Sequence, residues 1–268
     1  MSPRSLLSIE GVTRQFGGLT AVDKVSFDIE PGKVSAIIGP NGAGKTTLFN
    51  LISGFMPPSE GHIRFQGEDI TALAPHHVAA RGIVRTFQLV QLFPDLTAHQ
   101  NVEVGCHLRG SGGVWAALAR TKRARRELDE ASATSRELLS FVGLADRADL
   151  AASSLTYGQQ RLLEVARAMA AGPKLLLLDE PAAGLNAVET EHLAGVIRAV
   201  IARGITVLLI EHDMSLAMRI ASHILVLDFG RKIAEGTPEE VQNDPAVLEA
   251  YLGGVDTGTP VAEGRAHA

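Results

Sequence analysis

Val34-Ser-Ala-Ile-Ile38 followed by Gly39-Pro40-Asn41-Gly42-Ala43-Gly44-Lys45-Thr46-Thr47 decides how this chain folds. An apolar run of five residues reads as a buried strand, and the stretch after it fits the phosphate-loop pattern G-x-x-x-x-G-K-[ST], leading into a helix pattern. Glycines let the backbone curl so that successive N–H groups face one phosphate chain, and the helix beginning near Lys45 adds the positive end of its dipole. Lys45 supplies a point charge for the outer phosphates, and the Thr46 hydroxyl is a candidate Mg²⁺ ligand. Residues 39–47 are therefore the candidate phosphate site. The loop alone does not separate a kinase, a GTPase or a transport ATPase.

Working outward, further buried-strand patterns fall at Leu175–Leu178, Thr206–Ile210 and Ile224–Leu227, with helix patterns at Thr46–Ser53, Gly158–Ala171, Val188–Ala202 and Met214–Ala221. This alternation predicts an α/β domain with a mostly parallel central sheet. The strand at Leu175 ends in Asp179-Glu180-Pro181. Parallel strands deliver their ends to the edge where ligands bind. Asp179 is placed to hold the metal and Glu180 to act as general base on an attacking water. About Leu6 to Ile38, short alternating strands with turns at Gly17-Gly18 and Pro31-Gly32 predict an antiparallel β layer. Leu92 to Gly143 reads as mostly helical with a break at Gly110–Gly113, and Arg120 to Arg126 is a basic run. That run reads as a solvated helix face, with an anionic lipid surface or a membrane partner as the alternative.

The 268 residues are 46% hydrophobic with a net charge of −5 and one cysteine, Cys106. This excludes a global basic surface for nucleic acid and an internal disulfide. No run of about 18 apolar residues is present, so a membrane would be served from the water side through a partner.

The ordered motifs resemble the ATP-binding cassette (ABC) ATPase family. Leu155-Thr156-Tyr157-Gly158-Gln159 resembles its signature, commonly Leu-Ser-Gly-Gly-Gln, and stands before Asp179-Glu180 as in that family. Gln88 in Arg85-Thr-Phe-Gln88 matches the Q-loop, His212 in Ile210-Glu-His-Asp213 the switch histidine, and Phe16 the aromatic that stacks on adenine. The resemblance implies the ABC ATPase fold of a P-loop NTPase: a mostly parallel sheet, an antiparallel β layer and a helical subdomain. It implies one domain over 1–268, with a core at 6–91 and 144–252, a helical and signature region at about 92–172 and a flexible tail at 253–268. ATP and Mg²⁺ are the implied ligands. A head-to-tail dimer with a second ATPase subunit is also implied, Thr156, Tyr157, Gly158 and Gln159 of one chain facing the nucleotide of the other. Gln88 would sense Mg²⁺ and water, and His212 would hold the γ-phosphate. Tyr157 in place of glycine and Asn186 in place of the frequent aspartate are departures that leave contacts there open.

Phe16-Gly-Gly-Leu-Thr-Ala-Val22, Pro181-Ala-Ala-Gly-Leu-Asn186 and Ala250-Tyr-Leu-Gly-Gly254 further resemble the longer ATPase of the bacterial high-affinity branched-chain amino-acid uptake system. Such a system implies transmembrane permease subunits, a periplasmic binding protein indirectly, and a peripheral place on the cytoplasmic face of the inner membrane. Amide or urea uptake, lipopolysaccharide export and a soluble ABC ATPase remain as alternatives.

Overall fold

The computed structural model describes residues 5–88, 90–106, 122–212 and 214–252. Its strands are Leu7–Phe16 (β1), Leu19–Ile29 (β2), Val34–Ile38 (β3), Glu60–Phe65 (β4), Glu68–Asp69 (β5), Ile83–Arg85 (β6), Leu175–Asp179 (β7), Thr206–Ile210 (β8), His223–Asp228 (β9) and Arg231–Gly236 (β10). The helices are Lys45–Ile52 (α1), Pro75–Ala80 (α2), Ala98–Cys106 (α3), Lys122–Phe141 (α4), Tyr157–Ala170 (α5), Ala187–Ala202 (α6), Met214–Ile220 (α7), Pro238–Gln242 (α8) and Pro245–Leu252 (α9).

The larger sheet runs β10-β9-β3-β8-β7-β6. Every pair from β9 to β6 is parallel, and β10 closes the other edge antiparallel. Strands β3, β7 and β8 are buried along their whole length, as expected where both faces of a parallel sheet are covered. Alternate residues divide between two cores. Ile37, Leu175, Leu177, Leu208 and Ile210 face Leu48, Phe49, Leu51 and Ile52 of α1 and the apolar side of the antiparallel sheet. Ala36, Ile38, Leu176, Leu178, Val207 and Leu209 face the helices on the other side. Helix α1 is thus clamped between two sheets, which fixes the loop that feeds it.

The antiparallel sheet has the order β2-β1-β4-β5. Its first two strands are 10 and 11 residues long, not short; register shifts between Ile9 and Gln15 let them bend while pairing continues. Within residues 6–38 the layer stops at Ile29, and β4 and β5 complete it later in the chain. Strand β3 belongs to the parallel sheet, so the antiparallel reading of 6–38 extends too far. The turn between them is tied down where the Gly32 N–H donates to Thr206 Oγ1 at 2.9 Å. Strands β4, β5, β6 and β10 escaped the sequence reading because they are short, mixed in polarity or at sheet edges. Helices α3, α4 and α5 pack together as the helical part. The Gly110–Gly113 break, the side chains of the basic run up to Arg125 and the tail lie outside the described residues, and Arg126 is exposed. Among the described residues no helix is long and apolar enough to cross a membrane.

Leu48 has no solvent exposure in the clamped helix. Leu48→Ala is expected to lower unfolding free energy by about 2–5 kcal/mol, read as a lower urea midpoint at unchanged m-value.

Candidate functional site

Four carboxyl ends of neighbouring parallel strands carry the candidate residues. The phosphate loop follows β3, Gln88 lies three residues beyond β6, Asp179 ends β7 with Glu180 next, and Glu211-His212 follows β8. The fold thereby gathers residues from positions 39 to 212 on one edge.

In the loop, Ala43 and Lys45 are buried, Gly39 and Gly44 border the interior, and Asn41, Gly42 and Thr46 are exposed. Pro40 and Thr47 are half-buried. Gly44 has φ 96°, and a Cβ there would stand 2.4 Å from the Ala21 carbonyl oxygen; only glycine tolerates both. Lys45 Nζ donates to the carbonyl oxygens of Gly39 at 2.6 Å and Pro40 at 2.9 Å. Burial pushes its pKa down, and the carboxylates of Glu180, Asp179 and Glu211 oppose this. The lysine is therefore already aimed into the loop with acids around it.

Glu180 has φ 45°, a left-handed conformation rare for a side chain of this kind. Its N–H donates to Ile210 O at 3.0 Å, which holds the turn. Gln88 Nε2 donates to Glu180 Oε2 at 2.9 Å, and His212 Nδ1 lies 3.9 Å from the same oxygen. Glu211, buried, accepts from the Ala182 N–H at 3.1 Å and steadies the segment after Pro181. Asp179 is buried, and its Oδ2 accepts from Arg85 Nη2 at 2.7 Å. Hard oxygen donors at Asp179 and Thr46 suit magnesium, which takes one or two protein oxygens and completes its shell with phosphate and water. Phe16 is 43% exposed with the Arg14 guanidinium 4.8 Å from its ring centre, so it is a surface ring beside the turn to β2 and not a core residue.

The signature residues begin α5. Thr156 is its N-cap: the Gln159 N–H donates to Thr156 Oγ1 at 3.3 Å, and the Gln159 side chain accepts from the Thr156 N–H at 3.0 Å. Gly158 lies where a Cβ would meet Glu189 Oε1 at 2.5 Å. Tyr157, the departure from glycine, lies beside Gly184, and its hydroxyl accepts from Arg161 Nη2 at 3.0 Å. Asn186, the second departure, is the N-cap of α6 and accepts from the Val188 and Glu189 N–H groups at 3.0 Å each. Arg161 also donates to the carbonyls of Phe87, at 2.9 Å, and Gln88. Its buried partner Glu164 accepts from the Gln91 N–H at 2.9 Å. Burial pushes the Glu164 pKa up, against the Gln91 N–H and Arg161. The signature helix thus grips the Gln88 segment within one chain.

The sequence reading assigned no role to Arg85, Arg161, Glu164 or Glu211. A charged residue inside an otherwise apolar pattern was the available signal. Tyr251 of α9 lies against the Gly39 backbone, and burial pushes its phenol up to about 12.

This fold and site define an ATP-binding cassette. Residues 22–183 match the ABC transporter model, and residues 231–257 match the model described as branched-chain amino acid ATP-binding cassette transporter. The chain belongs to the ATP-binding proteins of the branched-chain amino acid ABC transporter family. It is 46% identical to the high-affinity branched-chain amino acid transport ATP-binding protein BraF of Pseudomonas aeruginosa, over 93% of this chain and 98% of that protein. With LivG of Escherichia coli, described in the same words, identity is 43% over 92% and 98%. Among solved structures, the ADP conformation of MJ1267, an ATP-binding cassette of an ABC transporter, aligns with TM-score 0.81 and 34% identity over 93% of this chain and 99% of that one. The dimeric structure of MJ0796, a bacterial ABC transporter cassette, aligns with TM-score 0.73 and 26% identity, over 87% and 98%.

The Arg161–Glu164 pair is buried to 4% and 2% side-chain exposure. Arg161→Met takes the cation from a buried carboxylate and is expected to cost about 3–5 kcal/mol. Adding Glu164→Met should recover only part of it in the same urea titration, because the Gln91 N–H and the Phe87 and Gln88 carbonyls lose their side-chain partners.

Proposed function

We propose that the chain is the ATP-hydrolysing subunit that energises import of branched-chain amino acids, working on the cytoplasmic face of a bacterial inner membrane. Transmembrane permeases carry the substrate, a periplasmic protein delivers it, and this chain pairs head to tail with a second ATPase subunit. The family models and relatives support the transport role, and the solved dimer of a related cassette supports the pairing. The observation that carries the chemistry is the meeting of Gln88 and His212 at one carboxylate oxygen of Glu180.

In this reading the N–H groups of residues 39–47 and the Lys45 ammonium hold the phosphate chain, and Phe16 stacks on adenine. Lys45 exchanges its two carbonyl partners for phosphate oxygens when nucleotide enters. Thr46 and Asp179 would hold Mg²⁺, with Gln88 nearby; the ion neutralises phosphate charge. Glu180 accepts hydrogen bonds from the attacking water and takes its proton. Gln88 and His212 orient that carboxylate and the water, and His212 contacts the γ-phosphate. A partner chain brings Thr156, Tyr157, Gly158 and Gln159, whose helix N-terminus offers N–H groups to the same phosphate. The core at 6–91 and 144–252 works as the nucleotide unit and about 92–172 as the helical unit.

Lys45→Ala should weaken ATP binding by about tenfold or more, from the loss of charge-assisted hydrogen bonds; unchanged affinity by calorimetry would remove the loop from nucleotide binding. Glu180→Gln should leave ATP affinity within a small factor and cut the turnover rate by about 10²–10⁴, the range for loss of a positioned base. Phosphate release at saturating ATP measures it, and near-normal turnover would exclude Glu180 as the base.

A further inference from the structure

Arg85 is almost completely enclosed, with 6% side-chain exposure, and so is its partner Asp179 at 4%. Nη2 donates to Asp179 Oδ2 at 2.7 Å. Nη1 donates to Asn50 Oδ1 at 2.6 Å and Ser53 Oγ at 3.1 Å. The guanidinium carbon lies 5.5, 5.8 and 5.3 Å from the ring centres of Phe49, Phe55 and Phe87. Phe55 and Phe87 brace each other edge to face at 5.7 Å. A planar fork among three rings has little freedom to turn, and two of its nitrogens point to fixed oxygens.

The partners of this fork belong to the two elements that carry the magnesium candidates. Asn50 is one helical turn beyond Thr46 on α1, and Asp179 ends β7. We propose that Arg85 is a positioning residue for the metal site: it sets the spacing between Thr46 and the Asp179 carboxylate and, by occupying Oδ2, presents Oδ1 to the ion or its water shell. The inference rests on the magnesium reading above. In this role Arg85 acts through Asp179, as hydrogen-bond partners behind metal ligands do. Three residues further along the same segment stands Gln88, so one rigid anchor also fixes where the Q-loop starts. A lysine would keep the charge and lose the fork, since one ammonium on a flexible stem does not reproduce a planar group that reaches Asp179 and Asn50 at once.

The test uses the full chain in a Glu180→Gln background, so that nucleotide is not consumed, with Mn²⁺ as the probe. Mn²⁺ binding to the ATP-loaded protein is followed by electron paramagnetic resonance, and ATP affinity is measured separately in EDTA. Arg85→Met is expected to weaken Mn²⁺ binding by about 10–100-fold, the usual cost of losing such a partner, with metal-free ATP affinity within about twofold. Arg85→Lys should fall between the parent and Arg85→Met, and it decides the matter if Arg85→Met does not fold. Mn²⁺ affinity unchanged in the folded Arg85 variants, while Asp179→Asn weakens it, would overturn the positioning role and leave Arg85 a packing residue. Mn²⁺ affinity unchanged in Asp179→Asn as well would overturn the magnesium reading beneath it.

Discussion

A lysine ammonium enclosed by its own loop is the interaction on which the rest depends. Lys45 is buried, gives hydrogen bonds to two carbonyls of the loop that precedes it, and has Asp179, Glu180 and Glu211 close enough to support its charge. Burying a charge is costly unless it is paired and hydrogen-bonded. The loop therefore exists in this shape because acids arrive beside it, and they arrive because parallel strands end together. The clamp of α1 between two sheets, the sharp turn at Gly44 and the left-handed backbone at Glu180 all serve that meeting.

Around it the chain balances buried charge by pairs that also join separate elements. Arg85 answers Asp179 across β6 and β7. Arg161 answers Glu164 on α5 while holding the carbonyls of Phe87 and Gln88. Tyr157 beside Gly184 and Gly158 beside Glu189 bring the signature against the segment after Pro181. The Gln88 segment thus has a short hydrogen-bonded route to the helical part. Arg161 joins the Gln88 segment to α5 by direct hydrogen bonds.

Much of this was legible beforehand. Apolar runs placed β3, β7, β8 and β9 and the helices α1, α5, α6 and α7 to within a residue or two, because each is either fully buried or strongly periodic. Motif order then named the family. Edge strands such as β5 and β6 were not legible, since two or three residues carry no periodicity and their pairing is decided by tertiary context. Asn186 read as a lost charge in the sequence; the structure gives it a physical reason, since its side chain caps α6. Arg85 was out of reach for a related cause: Asp179, the partner that justifies its buried charge, lies 94 residues away. Glu164 has its cation Arg161 three residues away, but the Gln91 N–H that it also accepts comes from 73 residues away.

In the proposed head-to-tail arrangement, Thr156–Gln159 of one chain meet the nucleotide held by the other. A structure of the Glu180→Gln chain grown with ATP and Mg²⁺ measures it directly. The expected result is two chains with each γ-phosphate between Lys45 of one and the Thr156–Gln159 helix start of the other, and with Mg²⁺ beside Asp179. Nucleotide held by a single chain with its signature helix facing only water, or bound away from residues 39–47, would contradict it.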